Sequence, residues 1–469
     1  MFEIEIYTMR IIQICTFLLL ASTSLFAQEF SLYGKIDGME DGDVILGYYY
    51  GEKQYALDTV QSKNQFFHFD AVEAVKAGMY FILLPNQRFF QLVIDKDQDF
   101  TLETSMNDLI GEMKIADSEE NQKFYDYQQF TQLKGLEVEP IKQDLSSLEE
   151  GSRKAEKLLA KIDILNLEVE AYKKQFMAAS PEMFFVKLLE AMVPIEIPVI
   201  DEEVNPNGRY IYFKEHYWDH FDLSDDRMVR SPIFHSRMQQ YIVEYTPQVA
   251  DSIIATLDVL LAKVRNSDEL FKYVLNWSTY KYESSKIMGH DAVFVDLVFK
   301  YYVTQQAPWV DEVKLVNIID KAMRIKPNLI GTRAPHLALK DDKGEVQVMN
   351  DIEAPLTVLF FYDPDCGHCK KETPNVRDAA ALYKDLGVKV YAICTEFDDE
   401  MWKDFITEYE VDDWINVIDL ENESNFRGKY NVMGTPRLFV LDEEKTILAK
   451  QIDSEALLTI FEKELGIEE

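Results

Sequence analysis

The chain has 469 residues, more than one ordinary domain holds, and 47% of them are hydrophobic, enough for packed cores and too many for a disordered protein. Its 83 acidic residues against 48 basic ones leave a formal net charge of −35, and no basic stripe interrupts them. That balance argues against nucleic acid or an anionic membrane as a partner and predicts two or three soluble domains.

Residues 9–27 combine a short positive start, an apolar core of about ten residues and a small residue at the end, the pattern of a secretory signal peptide and too short for a membrane span. Glu3 and Glu5 spoil the segment before it, so translation is expected to begin at Met9 and cleavage after Ala27 to leave Gln28 first. Cys15 has no small residue before it and is not read as a lipid anchor. The implied address is the periplasm of a Gram-negative envelope. Export would leave Cys366, Cys369 and Cys394, a sparse and local use of cysteine that fits catalysis better than a disulfide-stapled scaffold.

From residue 28 to 116, short partly alternating runs recur between turn signals, beginning near Phe30, Val44, Phe66, Met79 and Phe90. This spacing predicts a compact antiparallel sandwich or barrel, with His68 a strand-face residue. From 117 to 329 the period becomes helical. Leu158, Leu159, Ile162 and Leu165 share one face, as do Ile253, Ile254, Leu257, Leu260, Leu261 and Val264. Helix starts are read at Ser180-Pro181, Ser231-Pro232 and Thr246-Pro247. The aromatics Phe213, Tyr217, Trp218 and Phe221 read as core. His216 and His220 have i, i+4 spacing, but with His235 they lack the third-ligand logic of a metal site.

The last part, 330–469, holds the chemistry. The run 356–362 is unbroken apolar and aromatic, a central strand buried on both faces. Asp363-Pro364-Asp365 ends it, and a helix opens at Cys366-Gly367-His368-Cys369 and runs to about Leu386. The unpaired N–H groups and dipole of a helix N-terminus favour a thiolate at Cys366. Cys369, one turn in, is more shielded and can close on Cys366 after a mixed disulfide forms. His368 can donate to the thiolate or to the disulfide's leaving sulfur, which favours the reduced form and makes the pair a stronger oxidant. The reading is thiol–disulfide exchange, with a Cys366–Cys369 disulfide as the redox centre and neither cofactor nor metal. A zinc site would need a second ligand pair, and a c-type haem a histidine where Lys370 stands. A thiol peroxidase would need a Pro-x-x-x-Thr-x-x-Cys approach, which neither cysteine has. A purely structural disulfide would not need the helix tip. Glu372 falls on the face of Cys369 and is read as partly buried beside the thiols, and Pro374 should kink the helix. Cys394, at the end of the strand 388–393, reads as a buried small side chain. Ser454 is read as the cap of a final helix.

The Cys366-Gly-His-Cys369 motif, its preceding strand and Gly434-Thr435-Pro436 resemble the thioredoxin superfamily. Lys370-Lys371-Glu372-Thr373-Pro374 is similar to the exported TlpA/ResA-like branch. The order of elements, βαβ then ββα, is what that fold requires. The resemblance implies a cis Pro436 facing the cysteines, Thr435 pairing with an extended substrate, and Glu372 as proton handler, since Phe360 stands where cytosolic thioredoxins carry a buried Asp. It also implies protein thiols and disulfides as partners and a membrane thiol donor that recharges the pair. Direction is left open. The segment 28–116 is similar in pattern to a β-domain of unknown function found ahead of such domains, and the motif around Tyr217-Trp218 resembles a helical family of unknown function. The expected class is therefore multidomain: an all-β domain (28–116), an all-α domain (117–329) and an α/β thioredoxin fold (330–469). Residues 28–329 carry no deduced chemistry. The alternative function is accordingly a cell-envelope interaction protein with the redox domain as accessory module.

Overall fold

The computed structural model describes residues 29–201 and 203–467, so the signal expected at 9–27 lies outside the described residues. Backbone packing divides the chain into two compact units: one runs to Tyr241 and includes Lys263–Leu270, the other is Ile242–Ala262 with Phe271–Glu469.

The first unit opens with β1 (Phe30–Asp37), β2 (Asp43–Tyr50), β3 (Lys53–Gln61), β4 (Phe66–Ala71), β5 (Gly78–Leu83), β6 (Phe89–Ile94), β7 (Asp99–Ser105) and β8 (Lys114–Ala116). They form two four-stranded sheets, ordered β4-β1-β7-β8 and β3-β2-β5-β6. All five anticipated runs are strands. β3 went unread because nearly its whole length is exposed, which leaves no apolar alternation to detect. The expectation of an antiparallel domain needs correction. β1 and β7 pair in parallel, joined by a crossover that builds the second sheet on its way. Two strand-interior glycines have a packing reason. Gly34 and Gly47 lie opposite Phe67 and Phe81, and a Cβ on either would sit 2.0 or 2.2 Å from the ring.

The helices of this unit are α1 (Glu119–Ser146), α2 (Arg153–Ala179), α3 (Phe184–Ala191), α4 (Gly208–His216) and α5 (Phe234–Gln239). Residues beyond 116 pack with the sheets through particular polar contacts. Asn121 on α1 accepts the Val93 N–H at 2.8 Å and donates to the Val93 carbonyl at 2.6 Å, taking the place of a strand neighbour at the β6 edge. Arg227 bonds Asp95 at 2.7 Å and Asp225 at 2.6 Å. Tyr217, Trp218 and Phe221 are core, at 3–5% exposure. His216 bonds Asp219 and His235 bonds Gln239, and among the described residues no three or more His, Cys, Asp or Glu side chains cluster as metal ligands would. His68 stacks on Tyr33 across the strands, as a strand-face residue does.

Two anticipated helix starts fall elsewhere. Ser180-Pro181 ends α2 and leads a turn into α3, and Thr246-Pro247 lies ahead of α6 (Ala250–Lys263). The Ser231 hydroxyl accepts from the Ile233 and Phe234 N–H groups at 3.4 Å, but α5 begins only at Phe234, with Ile233 at its N-cap position and no side-chain cap there. The Leu158, Ile162 and Leu165 stripe is only half-buried and Leu159 is exposed, whereas Ile253, Leu257, Leu260 and Leu261 on α6 are buried.

The second unit continues through α7 (Asp268–Glu283), α8 (Asp291–Leu297) and α9 (Glu312–Ile325) into a seven-stranded sheet. Its strands are β9 (Ala338–Asp341), β10 (Val346–Val348), β11 (Thr357–Tyr362), β12 (Lys389–Cys394), β13 (Ile415–Ile418), β14 (Arg437–Leu441) and β15 (Ile447–Lys450), ordered β10-β9-β13-β12-β11-β14-β15. β11 is parallel to β12, which is parallel to β13; β14 is antiparallel to β11 and β15 to β14. The helices α10 (Gly367–Leu382), α11 (Asp399–Glu408), α12 (Phe426–Lys429) and α13 (Glu455–Glu464) complete the expected βαβ and ββα order. On β15, Lys450 donates to the Asp291 carboxylate of α8, with the lysine side chain only 4% exposed.

Candidate active site

β11 is buried at every residue because it lies mid-sheet with a core on each face. Val358, Phe360 and Tyr362 share one face with Cys369, Cys394 and Trp402, while Leu359 and Phe361 share the other with Phe426 and Tyr430. The strand ends in a turn written by its residues. Asp363 Oδ1 accepts the Asp365 N–H at 2.8 Å, and the Cys366 N–H donates to the Asp363 carbonyl at 3.1 Å. Cys366 then stands in extended conformation as the N-cap of α10, with its carbonyl accepting the Lys370 N–H at 3.0 Å.

The two thiols are unequal. Cys366 is half-buried, and Cys369 has no exposed surface; both are free thiols. Burial alone would raise Cys366, but the backbone N–H of Cys369, the Cys369 and Thr435 side chains and the backbone N–H of His368 outweigh it and bring the thiol below its ordinary 9.0. Burial pushes Cys369 up to about 12, although the Asp363 N–H donates to its sulfur at 3.4 Å. Cys394, in register with Tyr362 on the neighbouring strand, is likewise pushed up to about 12 by burial.

The Thr435–Pro436 peptide is cis, and the Cys366 thiol donates to the Thr435 carbonyl at 3.6 Å. Thr435 and Pro436 are therefore brought to the leading cysteine. His368 is exposed, and it is its backbone N–H that bears on Cys366. Glu372 is half-buried, and its Oε2 accepts the Ser454 N–H at 3.1 Å, at the start of α13. Ser454 does not cap that helix with its side chain as anticipated; Glu372, and Asp453 through the Ala456 N–H, occupy the role. Pro374 lies inside α10, which runs on to Leu382, and the Thr373 hydroxyl donates to the Cys369 carbonyl at 2.8 Å. One neighbour of the site went unread in the sequence. Tyr362, four residues before Cys366, points to the cysteine side of the sheet; strand alternation held that signal, masked by the unbroken apolar run.

Three family models match the chain: "Domain of unknown function (DUF4369)" over residues 30–124, "Domain of unknown function (DUF5106)" over 152–328, and the AhpC/TSA family over 330–450. The thiol-disulfide oxidoreductase ResA of Bacillus cereus is 24% identical over 123 residues, 26% of this chain and 69% of that protein. A domain of a possible thiol-disulfide isomerase from Cytophaga hutchinsonii is 39% identical, covering 30% of this chain and 99% of that one, with a TM-score of 0.28. A thioredoxin-like protein from Bacteroides caccae is 19% identical, covering 59% of this chain and all of that one, with a TM-score of 0.45. With the strand order, the paired cysteines and the cis proline already in place, the C-terminal part of the chain is a thioredoxin-like domain that matches the AhpC/TSA family and is similar in sequence to ResA thiol–disulfide oxidoreductases.

Proposed function

We propose that this is a periplasmic oxidoreductase acting on protein disulfides by a mixed-disulfide mechanism at Cys366 and Cys369. The observation that carries the reading is the inequality of the two thiols: one half-exposed and acidified at a helix tip, the other sealed and held protonated. The Cys366 thiolate attacks a substrate disulfide, and Cys369 then resolves the mixed disulfide. Thr435 and Pro436 shape the groove, where an extended substrate segment can pair with the Thr435 backbone. Glu372 takes the proton that Cys369 loses, and His368 sets the redox poise. The partners are protein thiols and disulfides with a membrane thiol donor, and no metal takes part. The organisation we favour is a signal at 1–27 followed by parts at 28–116, 117–329 and 330–469.

Insulin reduction by the wild type and Cys366→Ser tests the reading: activity surviving the substitution would refute it. Cys369→Ser should stall the mixed disulfide and capture the substrate covalently, and fractionation of the expressing cell tests the address. A second reading, an envelope interaction protein with an accessory redox domain, is favoured by exposed apolar side chains on α1 and α2, among them Leu133, Leu136, Ile164 and Leu167. Under that reading a Cys366→Ser strain would keep the wild-type phenotype, while polar substitutions at those four positions would lose it.

A further inference from the structure

We infer that the Tyr362 hydroxyl is the hydrogen-bond donor that stabilises the Cys369 thiolate during resolution of the mixed disulfide, a positioning role that rests on the thiol–disulfide reading. The residue closes β11 with no exposed surface, on the sheet face that also carries Cys369, Cys394 and Trp402. Its register partner is Cys394, and the next residue, Asp363, donates its N–H to the Cys369 sulfur. The hydroxyl is fully enclosed with no partner at bonding distance; the Trp402 indole N–H bears on its oxygen, but as a donor, so the phenol proton is left without an acceptor. An enclosed hydroxyl in that position is costly, and folded proteins keep few of them. Here the surroundings name the acceptor: in the dithiol state the neighbouring sulfurs are neutral and weak acceptors, whereas a thiolate is a strong one. Burial, then the charges that Cys394 and Cys369 would carry, push the phenol well above its ordinary pKa, so Tyr362 keeps its proton and serves only as donor.

The step balances without any outside oxidant. Cys369 loses its thiol proton, and the resulting thiolate attacks the Cys366 sulfur of the mixed disulfide. The Cys369–Cys366 bond forms as the bond from Cys366 to the substrate sulfur breaks. The electron pair leaves on that substrate sulfur, which takes up the proton. The two cysteines are oxidised by two electrons and the substrate disulfide is reduced to two thiols. The Asp363 N–H already faces the Cys369 sulfur before the charge appears, and the enclosed Tyr362 O–H, free of any other acceptor, turns to the thiolate as the second donor.

The test is Tyr362→Phe, which removes one buried oxygen and no packing volume. Reduced protein is mixed with dithiobis-nitrobenzoate, an aryl disulfide whose released thiolate is coloured. The first release reports attack by Cys366; the second reports resolution by Cys369, and Cys369→Ser lacks it. Tyr362→Phe is expected to leave the first phase unchanged and slow the second by about tenfold or more, with a thermal midpoint no lower than wild type. Incorporating 3-fluorotyrosine at 362, which keeps the hydroxyl, should restore the second phase. An unchanged second phase, or equal slowing of both phases, would overturn the inference. A wild type without any second phase would instead sink the two-cysteine reading on which it stands.

Discussion

Timed alkylation of the reduced protein with iodoacetamide at pH 7 should modify Cys366 at least about 30-fold faster than Cys369, and the structure supplies the factors. Cys369 rises from 9.0 to about 12 through burial, so its thiolate population falls by about a thousandfold relative to an ordinary thiol. The higher basicity makes each thiolate more nucleophilic, and a Brønsted slope of about 0.4–0.5 returns roughly 15- to 30-fold. The product leaves Cys369 slower by about 30- to 60-fold from ionisation alone. Cys366 sits below 9.0 and is half-exposed, while Cys369 has no exposed surface, so both remaining terms widen the ratio. Peptide mass mapping of quenched samples reads the two sites separately, with Cys394 expected to follow Cys369 because burial pushes it equally high. Modification of Cys369 within tenfold of Cys366 would refute the reasoning, since neither burial nor the helix tip would then be setting thiol reactivity. The rate at Cys366 should also stop rising with pH once its own lowered pKa is passed, while that at Cys369 keeps climbing.

Asp291→Asn removes the partner of a lysine only 4% exposed and should destabilise the protein by about 3–5 kcal/mol in chemical denaturation near pH 7. Burial, then Arg437, already lowers the Lys450 pKa below 10.5 while Asp291 raises it, so the variant lowers it further; its stability should recover as pH rises towards 10.5 and the lysine sheds its charge. Glu372→Gln keeps an acceptor for the Ser454 N–H but removes the proton acceptor we propose for Cys369, so insulin reduction should fall by about a hundredfold with thermal stability changed little; unaltered activity would leave Glu372 as a helix cap alone. Gly34→Ala drives a Cβ to within 2.0 Å of the Phe67 ring, and urea titration should show a loss of about 1–3 kcal/mol.

The parts legible in the sequence share one property: their determinants lie close together along the chain. The buried β11, the turn at Asp363, the helix opening at Cys366 and the proline ahead of β14 are each set by a few consecutive residues, whose periodicity, missing N–H or φ preference acts locally. The acidification of Cys366 is largely of this kind, because the N–H groups that bear on its sulfur belong to His368 and Cys369, with only Thr435 brought in from far along the chain. What only the tertiary structure decided depends on residues far apart in sequence. The parallel pairing of β1 with β7, the seating of Glu372 on the Ser454 N–H, the burial of Lys450 against Asp291 and the enclosure of the Tyr362 hydroxyl beside Cys369 follow from which surfaces meet. Local propensity carries no record of such encounters: packing selects them by burying apolar area, and the polar groups caught between surfaces take whatever partners the packing leaves them.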